Sequence, residues 1–566
     1  MNILGVAFLA DASAALLVDG KLVAAVSEER LNRVKQWCGI PHGAIREVLR
    51  LGGLRLDDID LIATHGVTAD IRPDTAHFED KKKKIMASRL PDEVRDRQLD
   101  YLQKRLEHEH FVCSERTPRF LKEISALGRP LRVVGHHEAH AASAYFGSGW
   151  DESLILTLDG WGEDGSSTLW SGKAGAMKLL RRTPTIDSLG YFYGSVTKAL
   201  GFVPERHEGK VLGLAAYCQK SASYATLKTL VDYDASTGRF VGRMEGGIYV
   251  PKLDNPALGE FVKGFSREDV SSAVQRRLEE VVTACVADLD GAATRLAVAG
   301  GVFANVKLNQ RIQEMSNVSE MFVFPNMGDG GLSVGAACLV HSRETGQRPG
   351  PTETMYLGPE YSEHEIGETL VKSGLRYTRE TDIHETTAKL LAQDQVVARF
   401  NGRMEFGPRA LGHRSILYPA KDPAVNQWLN HRLNRSEFMP FAPATLAEHA
   451  ERCYVNYKPG QKAASYMTMT YDCTPEMRRV SPASIHVDGT ARPQVVHSDE
   501  SPDFHRLLSA YFKRTGIPSV INTSFNMHEE PIVCSVDDAL RAFLDGGLPY
   551  LAAGPFLVQA PEATLQ

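Results

Sequence analysis

Residues 152–160, ESLILTLDG, form a mostly apolar run that ends in an Asp-Gly turn, and two later segments repeat this design. The later segments are TRLAVAGG at 294–301 and EMFVFPNMGDGG at 320–331, and a helical spacing of apolar residues follows each of them. A buried strand that leads through a turn into a helix is the repeating unit of layered α/β folds. The sequence therefore predicts an α/β protein.

Upstream of these segments, residues 3–30 contain two apolar runs on either side of Asp19-Gly20. This dipeptide accepts the positive φ angles of a tight turn, so we expect a β-hairpin preceded by an earlier strand. Charged residues and good helix formers dominate the next stretch and predict a helical insertion over about 74–125. Within it, Lys81 to Lys84 are expected to form a solvated helix face.

Downstream, the polar segment HSRETGQRPGPTET at 341–354 is rich in Pro and Gly and predicts the main domain boundary. We therefore expect one domain over 1–345 and a second over 355–566. Strand patterns such as QVVARF at 395–400 alternate with helical patterns in the second part, which favours an α/β fold there too.

Composition narrows the class of protein. The 566 residues are 43% hydrophobic and 24% charged, with a net charge of −6, which excludes extended disorder and argues against a nucleic-acid partner. No long uncharged apolar run and no basic leader are evident, so we expect neither a membrane span nor a signal peptide, and a cytoplasmic location. The eight cysteines include no CxxC pair, which disfavours a disulfide framework and a thiolate zinc site.

One group of residues has the spacing of a metal site. His136 and His140 are four residues apart in VVGHHEAHAASAYF, so on a helix both imidazoles project from one face. Asp159 and Asp329 stand at the turns after two predicted strands, where α/β folds build their sites. Two imidazoles and two carboxylates suit iron, manganese or zinc better than magnesium.

Glycines and arginines indicate anion binding elsewhere. The turns at 159–167, 299–309 and 328–331 could hold phosphates through backbone N–H groups, although none matches a Walker A or Rossmann pattern. Residues 401–417, NGRMEFGPRALGHRSIL, alternate glycines with arginines. We expect these guanidinium groups to clamp phosphate or carbamoyl oxygens.

Eight segments, in order and across nearly the whole chain, resemble the nodulation and antibiotic O-carbamoyltransferase family, and within it the aminoglycoside (tobramycin-type) enzymes. The segments are HHEAHAASAYF, LDGWGEDGSS, HEGKVLGLAAY, AGGVFAN, FPNMGDGGLSVGAA, NGRMEFGPRALGHRSIL, DGTARPQVV and NTSFNMHEEPIV.

The resemblance implies an N-terminal two-lobed domain with the actin-like ATPase fold, similar to the universal tRNA threonylcarbamoyl-transfer protein, and a C-terminal YrdC-like domain. It implies an enzyme in which the second domain makes carbamoyl adenylate from carbamoyl phosphate and ATP, with magnesium as the companion of ATP. The first domain would then transfer the carbamoyl group to a hydroxyl, or an amine, of a small natural-product acceptor, and AMP would leave.

The same resemblance assigns site residues. Iron would be held by His136, His140, Asp159 and Asp329. The nucleotide would be lined by Lys210, Gly213, Gly300, Gly301 and Asn305. Carbamoyl phosphate or the adenylate would be bound by Arg409, Arg435, Arg492, Asn522 and Ser524. Lys35 matches a residue that faces the acceptor.

The chain departs from the family at Ala10, where many members carry a histidine directly before the DASAAL segment. A methyl group cannot accept a proton. Either Asp11 or a nearby histidine such as His65 substitutes, or the acceptor is an amine that needs little base help, or the alanine is itself a substitution that disables transfer.

Rival functions stay open from the sequence alone. They are an RNA-binding protein of the same fold, a threonylcarbamoyl-tRNA enzyme with both steps fused, and a kinase of the ATPase fold, which would release ADP instead of AMP. The sequence also leaves open the acceptor, the choice between iron and zinc, and whether the protein forms a homodimer.

Overall fold

The computed structural model describes residues 1–67, 75–163, 165–248, 255–289, 294–433 and 438–561. The chain forms two compact units. The first comprises Met1–Leu9, Ala15–Leu22 and Leu54–Thr352, and the second comprises Ala10–Ala14, Val23–Gly53 and Glu353–Gln566. The second unit therefore includes two N-terminal segments besides the residues that follow 352.

The strands, in chain order, are β1 Asn2–Ala7, β2 Ser13–Val18, β3 Lys21–Ser27, β4 Leu61–His65, β5 Leu131–Val134, β6 Glu152–Gly162, β7 Gly165–Lys173, β8 Ala176–Thr183, β9 Val231–Asp234, β10 Arg239–Gly242, β11 Thr294–Ala299, β12 Val318–Val323, β13 Tyr377–Arg379, β14 Val397–Phe400, β15 Arg414–Pro419, β16 Ala442–Leu446, β17 Tyr471–Asp472, β18 Thr490–Ala491, β19 Gln494–Val496, β20 Ser519–Ser524, β21 Tyr550–Ala553 and β22 Phe556–Gln559.

The α-helices are α1 Glu28–Asn32, α2 His42–Gly52, α3 Thr75–Ala87, α4 Asp92–Phe111, α5 Thr117–Ser125, α6 His136–Ser148, α7 Leu189–Ala199, α8 Glu208–Ala215, α9 Tyr224–Leu227, α10 Pro256–Val262, α11 Arg267–Ala287, α12 Val306–Gln313, α13 Leu332–Thr345, α14 Glu363–Ser373, α15 Ile383–Ala392, α16 Ala424–Arg432, α17 Ala450–Cys453, α18 Lys462–Ser465, α19 Pro475–Val480, α20 Pro502–Thr515 and α21 Val536–Asp545.

Two five-stranded sheets in the N-terminal half share one topology. Their orders are β3-β2-β1-β4-β5 and β8-β7-β6-β11-β12. In each sheet the strand that comes first in the chain is central, the next two follow on one side, and two later strands join in parallel on the other side. This repeated topology is the two-lobed arrangement of the actin-like ATPase fold, so the fold predicted for this half is confirmed.

The hairpin predicted at Asp19-Gly20 is present between β2 and β3. The φ angles are 48° at Asp19 and 79° at Gly20, and positive values at both central residues characterise the type I′ turn that matches the twist of paired strands. The first unit thus begins as the sequence predicts.

Close packing of α13 against its neighbours brings distant segments together. A Cβ on Gly335 would lie 1.9 Å from the Ala139 carbonyl oxygen on α6, and a Cβ on Gly5 would lie 2.0 Å from the Ser333 carbonyl oxygen. Because only glycine permits such approach, these two positions bring α13 against α6 on one side and β1 on the other.

Helices α3, α4 and α5 occupy the stretch between β4 and β5 for which a helical insertion is predicted. The prediction of a solvated lysine face is wrong at Lys81, whose side chain is only 3% exposed. Its Nζ lies 2.7 Å from Asp187 Oδ1, and His77 Nε2 lies 2.6 Å from Asp187 Oδ2. The sequence pattern missed this because the partner carboxylate lies more than a hundred residues away.

The second unit contains an eight-stranded mixed sheet of order β13-β22-β21-β14-β15-β20-β16-β19. Alternate residues of its strands belong to two different hydrophobic cores. Val397 and Leu417 pack with α15 and α20, whereas Ala398 and Ile416 pack with α14, α16 and α21. The sheet is therefore covered by helices on both faces, which confirms an α/β fold here as well.

Among the described helices, none has the length and apolar character that crossing a bilayer requires.

Candidate functional site

Four side chains from three chain segments converge in the first unit. His136 and His140 lie one turn apart on α6, and both are fully buried. Their Nε2 atoms lie 3.4 and 3.0 Å from Asp159 Oδ2, and 3.6 and 3.5 Å from Asp329 Oδ1. One ligand atom from each residue lies within 4.8 Å of every other. The four residues predicted as metal ligands are thus brought together.

A bulge in β6 aims Asp159 at the histidines. The β6–β7 register pairs Leu158 with Ser167 and resumes only at Gly162 with Gly165, which leaves Asp159 to Trp161 outside the ladder. Such bulges bend a strand and redirect its side chains. The Gly160 N–H donates to Asp159 Oδ1 at 2.7 Å, so Oδ2 is the oxygen that faces the two imidazoles.

The bulge is held from behind by α7. Ser188, the N-cap of α7, donates its hydroxyl to the carbonyl oxygens of Asp159 at 3.2 Å and Gly160 at 2.7 Å. A Cβ on Gly190 would lie 2.7 Å from the Asp159 carbonyl oxygen, so the helix approaches the bulge as closely as glycine allows. The position of Asp159 is therefore fixed by backbone contacts.

The charges of the cluster are balanced internally. Burial alone would lower the pKa of His136, but the carboxylates of Asp329, Asp159 and Glu163 outweigh it and raise this pKa to about 10. Burial alone would raise the pKa of Asp159, but hydrogen bonds from His136 and His140 lower it well below its usual value. Positive charge is thus stabilised at this point, and two imidazole nitrogens with two carboxylate oxygens are a donor set that fits a divalent transition metal.

His65 and Glu163 flank the back of His136. The ring of His65 meets that of His136 edge-on with centroids 5.4 Å apart, and it stacks on Phe8 at 4.4 Å. His65 is fully buried, and burial together with the neighbouring histidines lowers its pKa well below the usual value. A role as general base, as the sequence predicts, would require an acceptor to reach a ring that this structure covers completely.

The residues expected to line a nucleotide lie on two elements of the first unit. Lys210 and Gly213 are buried on α8, while Gly300 and Gly301 form the turn after β11. Gly300 has φ 106°, and a Cβ there would lie 2.2 Å from the Leu158 carbonyl oxygen, so glycine is required by geometry. A phosphate-binding role for these glycines stays a prediction.

Asn305, also expected at the nucleotide, uses its side chain to cap α12. Its Oδ1 accepts from the Leu308 N–H at 3.0 Å, and its Nδ2 donates to Gln275 Oε1 at 2.7 Å. Both ends of this amide therefore hold neighbouring helices in place.

Asp11 and Lys35 belong to the second unit, together with Ala10. Asp11 lies in the turn between β1 and β2 with φ 56°, and both side chains are partly exposed. Of the three predicted catalytic residues, these two are therefore open to solvent.

Arg414 in the second unit is fully buried. Its Nη1 donates to the Asn401 carbonyl oxygen at 2.7 Å and its Nη2 to the Gly402 carbonyl oxygen at 3.1 Å, while the guanidinium lies 3.8 Å from the centre of the Phe400 ring. Arg414 thus holds the backbone of the loop, and the expectation that it clamps a ligand is wrong.

Arg403 behaves in the same way, because its Nη2 donates to the carbonyl oxygens of Leu357 at 2.6 Å and Val23 at 3.0 Å. Arg409, like Arg403, is partly exposed on the loop. The role of Arg409 in ligand binding stays a prediction.

Asn522 is buried, and its Nδ2 donates to Gln494 Oε1 at 2.7 Å and to the Ala410 carbonyl oxygen at 3.3 Å. It positions the residue next to Arg409. Arg492 and Ser524 are partly exposed. Arg435 lies outside the described residues.

Comparison with known proteins agrees with the family resemblance of the sequence motifs. Residues 2–338 match the family model described as Carbamoyltransferase N-terminus, and residues 388–560 match Carbamoyltransferase C-terminus. The chain belongs to the carbamoyltransferase family. This carbamoyltransferase is 33% identical to nodulation protein NolNO of Sinorhizobium fredii, over 98% of this chain and 80% of that protein. Nodulation protein NolO of Bradyrhizobium diazoefficiens is 35% identical over 76% of this chain and 80% of its own length.

Among solved structures, the activator of the 2-hydroxyisocaproyl-CoA dehydratase from Clostridium difficile with bound ADPNP aligns over 61% of this carbamoyltransferase and 95% of its own chain, with 12% identity and a TM-score of 0.33.

Sequence reasoning on this carbamoyltransferase missed Glu163 and Glu405. Glu163 lies in the turn after β6, in the GWGEDGSS segment, and its position four residues after Asp159 is the signal that could have pointed to it. Glu405 is buried, and its Oε1 accepts the backbone N–H groups of Leu411 and His413 at 2.7 and 2.8 Å. One carboxylate therefore lies beside the histidine cluster and the other shapes the arginine loop.

Proposed function

We propose that this enzyme is an ATP-dependent carbamoyltransferase that acts in two half-reactions, with a small natural-product molecule as the acceptor. The observation that carries the proposal is the convergence of His136, His140, Asp159 and Asp329 in a chain of this family. The bulge in β6, the Ser188 cap of α7 and the close contact of Gly335 with Ala139 hold these chain segments in place. The four side chains are thereby close enough to bind one ion.

The four residues would hold a divalent metal, which we expect to be iron, although the donor set also suits zinc or manganese. When bound, such an ion would act as a Lewis acid that polarises a phosphate or carbamoyl oxygen. The protein contributes the arrangement of its ligands. The bulge fixes Asp159, and the contact of Gly335 with Ala139 fixes the N-terminal end of α13 beside α6.

The donor half-reaction is assigned to the second unit. Carbamoyl phosphate and water give phosphate and carbamate, and a carbamate oxygen attacks the α-phosphorus of ATP with release of pyrophosphate. Arg409, Arg492 and Ser524 are the partly exposed polar groups that would bind the anionic reactants. Arg414 and Asn522 support this step indirectly, because they hold the loop that carries Arg409.

The transfer half-reaction needs an activated donor, because the carbamoyl nitrogen donates into its carbonyl and makes the carbon a poor electrophile. Adenylate is a good leaving group. The acceptor hydroxyl oxygen attacks the carbamoyl carbon, AMP leaves, and the hydroxyl proton passes to a base. Asp11 is our candidate for that base because its carboxylate is partly exposed whereas His65 is covered, and Lys35 would face the acceptor.

The decisive test incubates the protein with carbamoyl phosphate and ATP in the absence of an acceptor. We expect pyrophosphate release that depends on carbamoyl phosphate, together with the mass of carbamoyl adenylate. Formation of ADP alone, or no reaction by folded and metal-loaded protein, would contradict the proposal.

Variants separate the two half-reactions. Arg409→Ala should lose pyrophosphate release. His140→Ala should still release pyrophosphate but should fail to carbamoylate any acceptor that the wild-type protein uses. Glu138→Gln is a matched control on the same helix, since Glu138 pairs with Arg343 and is not in the cluster, and it should keep both activities.

A further inference from the structure

Glu163 lies directly behind the metal ligand His136. Its side chain is fully buried, and its Oε2 lies 3.7 Å from Nδ1 of His136. The other carboxylate oxygen, Oε1, accepts a hydrogen bond from the Thr117 hydroxyl at 3.1 Å. The two nitrogens of the His136 ring therefore face opposite ways, with Nε2 toward Asp159 and Asp329 and Nδ1 toward Glu163.

This arrangement decides which nitrogen can bind a metal. A histidine binds an ion through an unprotonated nitrogen, so when Nε2 is the ligand the ring proton must be on Nδ1. A buried N–H without an acceptor costs free energy, and a carboxylate is the strongest acceptor that a side chain offers. Glu163 Oε2, 3.7 Å from Nδ1, is the carboxylate oxygen that faces this proton, and it would need to move closer by about 0.5 Å to accept it in a hydrogen bond.

We propose that Glu163 is a positioning residue of the metal site, which fixes the ring orientation and tautomer of His136 and strengthens its Nε2 as a ligand. The inference rests on the metal site of the proposed function. Thr117 is the first residue of α5, so the helical insertion between β4 and β5 takes part in holding the carboxylate. Carboxylates that accept from metal-bound histidines in this way typically raise metal affinity by about 10- to 100-fold.

His137 provides the internal contrast. It lies beside His136 on α6, but its Nδ1 lies 2.7 Å from the Thr157 hydroxyl and its Nε2 lies 3.0 Å from the Gly165 carbonyl oxygen. Both nitrogens are thus bonded within the protein, and His137 is not part of the ligand group. Removing the Thr157 hydroxyl disturbs a buried histidine on the same helix without touching the proposed pair.

The test measures metal affinity and needs no turnover. Metal-free wild-type protein and the variants Glu163→Ala, Glu163→Gln and Thr157→Val are titrated with zinc and with cobalt in competition with a chelator. We expect affinity to fall by about 100-fold in Glu163→Ala and by about 10-fold in Glu163→Gln, whose amide oxygen remains an acceptor, and to change by less than about 2-fold in Thr157→Val. The visible absorption of the cobalt protein should change in both Glu163 variants.

Three results would overturn the inference. The first is unchanged affinity in Glu163→Ala. The second is binding of two ions by the wild type and of one by that variant, because His65, His136 and Glu163 also lie within 4.8 Å of one another and Glu163 would then be a ligand itself. The third is an equal loss in Thr157→Val, which would indicate general disturbance of α6.

Two further measurements distinguish failure of the role proposed for Glu163 from failure of the proposed function. Thermal unfolding of the metal-free proteins shows whether each variant folds, and pyrophosphate release with carbamoyl phosphate should be unchanged in every variant because it belongs to the second unit. If wild-type protein binds no metal, the proposed metal site is wrong and the role of Glu163 falls with it. If wild-type protein binds metal and Glu163→Ala binds it equally well, only the role of Glu163 is wrong.

Discussion

Gly335→Ala should damage the metal site although Gly335 contacts none of its ligands. The added Cβ would lie 1.9 Å from the Ala139 carbonyl oxygen, whereas real Cβ atoms essentially never approach within 3.0 Å of another atom. Helices α6 and α13 must therefore separate by about 1.1 Å, the difference between 3.0 and 1.9 Å. Ala139 lies between His136 and His140 on α6, and Asp329 lies just before α13.

Two magnitudes follow from this displacement. Overpacking of a core contact typically costs about 1–3 kcal/mol, which for a domain of this size is a fall of a few degrees in the unfolding midpoint. Ligand distances in metal sites tolerate only about 0.2 Å, so a shift several times larger should weaken metal binding by about 10-fold or more.

The assay combines thermal unfolding of the metal-free protein with a chelator competition. Gly259→Ala is the matched control, since Gly259 lies in α10 with nothing within 4 Å of an added Cβ. That variant should be stabilised by about 0.5–1 kcal/mol, because alanine favours a helix, and should bind metal normally. If Gly335→Ala unfolds and binds metal as the wild type does, the argument that this contact sets the site is refuted.

Three other outcomes are expected. Arg414→Met removes the charged donors of several loop carbonyls, so it should cost at least about 3 kcal/mol in urea denaturation of the second unit and abolish pyrophosphate release; release at the wild-type rate would contradict this role. Ala10→His should raise the rate of carbamoyl transfer without changing pyrophosphate release, and an unchanged transfer rate would reject the idea that a base is missing there. Burial alone would raise the pKa of Asp187, but His77 and Lys81 lower it below its usual value. This carboxylate therefore adds stability above about pH 4 that is lost as the pH falls toward the lowered pKa, and Asp187→Asn should be less stable at pH 7 and lose less on acidification, as denaturation curves at both pH values would show.

Local patterns predicted what depends on local chemistry. The Asp19-Gly20 turn follows from two residues that accept positive φ, and the shared face of His136 and His140 follows from helical spacing. The segments that run from a strand into a turn at 159 and 329 predicted the two carboxylates of the cluster, because α/β folds place their functional side chains at the ends of such strands.

The features that the sequence did not predict depend on contacts between distant segments. The burial of Lys81 depends on Asp187, and the structural role of Arg414 depends on carbonyl oxygens that no sequence pattern marks. The repeated sheet topology followed from the family resemblance and from no local pattern, since the two copies share strand order without an evident repeat in the sequence. An arginine beside glycines is typical of anion binding, but here the guanidinium groups of Arg403 and Arg414 donate to backbone carbonyl oxygens.

The polar contacts that join the helical insertion to the rest of the first unit include Lys81 with Asp187 and Thr117 with Glu163. Asp187 precedes the Ser188 cap that holds the bulge, and Glu163 lies behind a histidine of the cluster. Replacing the insertion with that of a relative would therefore also alter the surroundings of the histidine cluster, unless both contacts are kept. Substitutions on the solvent-facing side of α3 to α5 would leave both contacts in place.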